Sequence, residues 1–112
     1  MISANFSRDE SGLRMVVCGH ACYSTDGDDI VCAAVSGLVY ALLGYLANEG
    51  IDSKINSFGQ GSADIQCAHD GEEAMKLCCI GILQIALTYP EFLSVSADAW
   101  NWRIGSFSHA SL

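Results

Sequence analysis

The amino-acid sequence predicts an α+β fold, a two-layer α/β sandwich in which two helices pack on a largely antiparallel sheet in the order ββαββαβ. Two patterns carry this. Short segments of strand character come in pairs separated by turn residues, and each pair is followed by a long apolar segment of helical type.

Residues 1–6 alternate apolar and polar side chains, residues 8–12 read as a polar turn, and the apolar run 13–18 returns as a second strand, completing a hairpin. A polar loop follows. Residues 29–48 then form a helix that ends near Gly50, whose freedom to adopt αL geometry suits a helix terminator. Residues 53–58 and 63–68 flank Gly59-Gln60-Gly61-Ser62 as a second hairpin. Asp70-Gly71-Glu72-Glu73 opens the second helix with acidic residues, and Pro90 closes it after Tyr89. Residues 92–96 supply the last strand. Residues 1–112 form a single domain, with residues 97–112 as a tail whose Trp100, Asn101, Trp102 and Phe107 are too aromatic for a free linker; it is expected to cover a sheet edge or an interface.

With 51% apolar and 16% charged residues, the chain has the material for one core and not the composition of a disordered segment. A formal net charge of -8 argues against nucleic acid and anionic membrane as partners and favours a basic peptide. The N-terminus lacks the basic and apolar regions of a secretory signal, so a cytoplasmic location with reduced thiols is expected for the six cysteines. The apolar run 30–46 approaches membrane-spanning length. Its Ser36, Gly37, Gly44 and two tyrosines, and the lack of a basic flank, make it a buried helix instead.

The chemistry concentrates in residues 19–36, GHACYSTDGDDIVCAAVS. His20 falls at a strand end and Cys32 in the first turn of a helix, across a short polar loop. A helix N-terminus and a neighbouring histidine both lower a thiol's pKa, so the pair reads as nucleophile and base. Asp28 and Asp29 suit the helix N-cap and first position. Asp29, Cys32 and Ser36 share one helix face, which makes Asp29 and Ser36 supporting residues. Ala21, Cys22, Tyr23, Ser24, Thr25, Asp26, Gly27 and Asp28 form a substrate loop, with Gly27 as hinge, expected to close over a bound peptide. The bland reading of Cys32 is a small apolar filler.

At these residues the chain resembles the ribosomal-processing cysteine proteases called Prp. That family's pattern is Gly-His-Ala at a strand end, a short Gly-containing loop, then Asp-Ile-Val-Cys-Ala-Ala-Val-Ser; here these are Gly19-His20-Ala21, Gly27, and Asp29 through Ser36. The likeness runs on through Met1-Ile2, Phe6, Gly12, the paired central strands and Tyr89-Pro90-Glu91, to about Ser96. The resemblance implies the same fold, His20 and Cys32 as a catalytic dyad, Asp29 and Ser36 in support, no cofactor, and a homodimer. It implies as substrate the N-terminal extension of a basic large-subunit ribosomal protein, L-twenty-seven, cut after an apolar, Phe-containing sequence. Cys22 beside the site and the Trp-bearing tail depart from the family pattern.

Two other readings compete. One is a non-enzymatic acidic protein that binds a basic ribosomal segment. The other is zinc binding by Cys18, His20 and Cys22 with Cys67 and His69, but neither CxHxC nor CxH reproduces the usual ligand spacings, so no metal is expected. Cys18 is expected in the strand core, at least one of Cys78 and Cys79 as buried filler, and His69 as a solvated turn residue.

Overall fold

The computed structural model describes residues 1–19, 30–59 and 61–97. Strands β1 (Ile2–Asp9), β2 (Gly12–Cys18), β3 (Ser53–Gly59), β4 (Ser62–Cys67) and β5 (Leu93–Ser96) form one sheet in the order β3-β4-β2-β1-β5. All neighbours are antiparallel except β1 and β5. Helices α1 (Ile30–Asn48) and α2 (Glu72–Thr88) complete the ββαββαβ order, with a 3-10 turn (His69–Gly71) leading into α2. The expected fold class is the observed one.

Alternation assigns the sheet faces. Ile2, Ala4 and Phe6 of β1, Leu13, Met15 and Val17 of β2, and Ala63, Ile65 and Cys67 of β4 are buried. Val31, Val35, Val39, Leu42 and Leu46 of α1 and Met75, Cys78, Cys79 and Ile82 of α2 complete the core. The other sheet face is open and polar. Across it, in register, run Ser7, Arg14, Gln66 and Lys54. Arg14 grips Asp64 there with two hydrogen bonds of 2.9 and 2.6 Å, and holds that carboxyl below its ordinary pKa. Cys18 is exposed, which corrects its expected place in the core. It follows Val17, whose side chain takes the inner face, so strand alternation turns Cys18 outward.

The first turn is tighter than expected. Pairing of Arg8 with Leu13 and of Asp9 with Gly12 carries the ladder on until only Glu10 and Ser11 remain outside it. Asp9 Oδ1 accepts hydrogen bonds from the Ser11 N–H (2.8 Å), the Ser11 hydroxyl (2.6 Å) and the Gly12 N–H (3.2 Å), which stabilises this short connection. Helix α1 ends as its glycine predicts. Gly50 has φ +66°, its N–H donates to Ala47 O and that of Ile51 to Leu46 O, the paired bonds of a Schellman cap. Asp70 and Gly71 belong to the 3-10 turn, so α2 begins two residues later than expected. The seam between the helices is close at Gly81, where a Cβ would meet the Leu38 side chain at 2.8 Å.

Both Cys78 and Cys79 are buried, and burial pushes each thiol up to about 12. In an unfolded chain they ionise near 9.0, while the native state holds their protons. Their contribution to stability is therefore complete below pH 9 and is lost as pH rises from there toward 12. The urea midpoint is expected to fall over that window, and the fall to be shallower in Cys79→Ala; equal slopes for the two proteins would show that this thiol carries none of it.

Candidate active site

The site starts where β2 ends. Gly19 has φ +98°, and a Cβ there would run into the carbonyl oxygen of Met1, so only glycine fits. Its N–H donates to Gly61 O at 2.8 Å, tying the end of β2 to the β3–β4 turn. The chain is thus held on two sides at the residue before His20. His20 itself, the loop of Ala21, Cys22, Tyr23, Ser24, Thr25, Asp26, Gly27 and Asp28, and Asp29 all lie outside the described residues.

Cys32 is the third residue of α1, half-buried and packed against the core. It borders a cleft of about 260 Å³ between α1 and the β3–β4 end of the sheet. Ile2, Val17, Val35, Val39 and Ala63 form its buried floor; Gly19, Gly59, Gly61 and Ser62 form one rim. Ser36, one helical turn beyond Cys32, lines the same cleft. So of the predicted site residues, the structure brings Cys32 and Ser36 together, with the backbone that leads into His20 at the same cleft.

Two cleft residues were not anticipated. Tyr40 and Phe58 meet edge to face, ring centroids 5.0 Å apart, at the far end. The helical spacing of Cys32, Ser36 and Tyr40 was a signal for the first. Phe58 is placed by the β3–β4 register, which sequence does not reveal.

A larger cleft of about 430 Å³ lies at the other end of the sheet, beside the first hairpin. Arg8, Arg14 and Lys54 line it, but Arg8 is paired with Glu72 at 2.9 Å and Arg14 with Asp64. Cys67, also at its wall, is buried, and burial together with Asp70 raises its thiol pKa, the opposite of what a nucleophile needs. His69 is exposed, with Nε2 3.2 Å from Glu10 O. Among the described residues no three or more His, Cys, Asp or Glu side chains are grouped as metal ligands.

The model of a family described as cysteine protease Prp matches residues 1–94. No curated protein matches the sequence. Among solved structures, Prp from S. aureus, an essential ribosomal processing protease, resembles the chain in complex with a covalently linked product peptide, at TM-score 0.78 and 18% identity over 88% of this chain and 100% of that one. The same protease in complex with a substrate peptide gives TM-score 0.71 and 20% identity over the same shares. SMU.848 from Streptococcus mutans is 28% identical over 87% of this chain and 93% of its own, at TM-score 0.68.

Thiol accessibility follows from these positions. Iodoacetamide at pH 8 is expected to label Cys32 and Cys18 in the native protein and to reach Cys67, Cys78 and Cys79 only after denaturation, as read by peptide mass spectrometry; native labelling of Cys79 would contradict the packing described.

Proposed function

The chain belongs to the cysteine protease Prp family, and from that membership we propose that it hydrolyses a peptide bond through a dyad of Cys32 and His20. That it is a cysteine protease follows from the family; the assignment of the dyad rests on one observation. Cys32 lies in the first turn of α1, on a cleft that Gly19, the residue before His20, also lines. The positive end of the helix dipole favours a thiolate at that position.

In the proposed reaction His20 takes the Cys32 proton and the thiolate attacks the scissile carbonyl. Backbone N–H groups at the start of α1 stabilise the oxyanion as negative charge develops on it. The amine leaves with the proton returned by His20, and water hydrolyses the thioester. Asp29 orients His20 or the loop, Ser36 hydrogen-bonds near the reacting groups, and residues 21–28 close over the substrate. The covalently linked product peptide in S. aureus Prp fits acyl transfer.

The substrate we propose is the N-terminal extension of ribosomal protein L-twenty-seven. The apolar floor of the cleft suits its apolar sequence, and a net charge of -8 attracts its basic remainder. Residues 1–112 act as one protease domain, in the cytoplasm and as a homodimer, with residues 97–112 as an appended tail beyond the family match, which ends at residue 94.

Two outcomes are expected with a synthetic peptide carrying that extension. Cys32→Ala and His20→Ala each lower turnover by about a thousandfold or more, and the double variant is little worse than either, because the two groups act as a unit. Asp29→Ala and Ser36→Ala reduce turnover without erasing it. Near-normal turnover in either dyad variant would remove that residue from the mechanism. Raising salt is expected to lower kcat/KM while leaving kcat nearly constant, since screening weakens encounter and not chemistry. A salt-independent kcat/KM would rule out electrostatic steering.

A further inference from the structure

The geometry points to a second specificity site, remote from the thiol: Tyr40 and Phe58 hold an apolar side chain of the substrate three to four residues from the scissile bond. This rests on the peptidase reading above and goes beyond it, since it concerns which peptide is accepted.

Cys32, Ser36 and Tyr40 follow one another at four-residue spacing along α1, and all three line the same cleft. Eight residues of helix advance about 12 Å. An extended peptide covers that distance in roughly three to four residues at about 3.3 Å each. A peptide with its reacting carbonyl at Cys32 and its chain along α1 therefore brings a side chain at that remove to the aromatic pair.

The pair offers ring surface beyond what its own packing uses. Tyr40 is 64% exposed and Phe58 40%, so much of each ring is left uncovered after they pack edge to face. Between them and the thiol the floor is Val35, Val39 and Ala63, all buried, and no charged side chain among the described residues borders the cleft. Ala63 sits directly opposite Phe58 in the ladder, and its small side chain leaves depth beside the ring.

Strand β3 carries an irregularity that aims Phe58. Ile55 pairs with Ile65, on the helix side of the sheet, but Ser57 pairs with Asp64 and Phe58 with Ala63, so the register shifts between Ile55 and Ser57. In a regular strand Ile55 and Ser57 would share a face and Phe58 would point to the open, polar side. The extra residue, Asn56, reverses this and turns Phe58 to the cleft. Asn56 is itself held by a 2.9 Å hydrogen bond from Nδ2 to Gln66 Oε1.

The test uses the full chain, Tyr40→Ala, Tyr40→Phe and Phe58→Ala, with the L-twenty-seven extension peptide and its single-alanine series. Tyr40→Ala and Phe58→Ala are expected to lower kcat/KM about three- to tenfold, chiefly through KM, the range of one aromatic contact. Tyr40→Phe is expected to recover most of the Tyr40→Ala loss. Alanine three or four residues from the scissile bond should cost the wild type a similar factor and the Tyr40→Ala protein almost nothing more, while alanine beside the scissile bond costs both equally. Unchanged kcat/KM in both alanine variants, or additive losses at every peptide position, would overturn the inference and leave the peptidase reading standing. If the wild type cleaves no peptide, that reading fails by itself. The second site is then judged by fluorescence anisotropy of the labelled peptide on Cys32→Ala, where an equal Kd with and without Tyr40→Ala overturns it and a three- to tenfold weakening supports it.

Discussion

Helix α1 can turn only one face to the sheet, and the position of the thiol follows from that constraint. Val31, Val35, Val39, Leu42 and Leu46 are buried and set the rotation of the helix about its axis. Successive residues are about 100° apart, so Cys32, one step from Val31, lies at the margin of the buried stripe, and Ser36 and Tyr40 continue that margin. A side chain at the centre of the stripe would be sealed in the core, and one on the far side would meet no sheet. At the margin it is half-buried, backed by apolar packing and open to the cleft. Rotation by one residue would send Cys32 inward and expel Val31, so core packing and thiol position cannot vary independently.

The second boundary of the cleft is backbone. At Gly19 and Gly61 the ends of β2 and the β3–β4 turn are joined by a 2.8 Å hydrogen bond, and both glycines have positive φ, +98° and +81°. Positive φ at both positions favours glycine over any residue with a side chain. Gly19 is also pressed against the Met1 carbonyl, which links the chain entering the loop to the first strand. The β1–β2 pairing therefore places one wall of the cleft as surely as α1 places the other.

Much of this was legible in the sequence because it depends on local pattern. Alternation at Ile2, Ala4 and Phe6, the terminating Gly50, and the acidic opening of α2 each act within a few residues, and each element was expected within a few residues of where it lies. Cys32 and Ser36 could be assigned to one helix face for the same reason. The outward turn of Cys18 was within reach of strand alternation too, since Leu13, Met15 and Val17 take the inner face. What lay beyond such patterns depends on pairing across the chain. The parallel docking of β5 on β1 is a tertiary fact. So is the opposition of Phe58 to Ala63 across a bulge, which periodicity alone would have placed on the wrong face. The expectations at His20 and residues 21–29 fall outside the described residues and remain the proposal stated above.

In the proposed function, charge and cleft divide the work of recognition. Among the described residues no acidic side chain lies in α1 and none lines the cleft. Charges set back from the site act through a field that reaches about 8 to 10 Å at physiological salt, and this governs how often a basic peptide arrives. Apolar contacts on the floor act only at touching distance and govern how long it stays. Keeping carboxylates off the wall that α1 and the sheet supply also avoids desolvating them when a peptide closes it, a penalty that would offset the attraction they supply from farther away. For a substrate with an apolar segment joined to a basic one, this separation lets affinity at the thiol and rate of encounter be set by different residues.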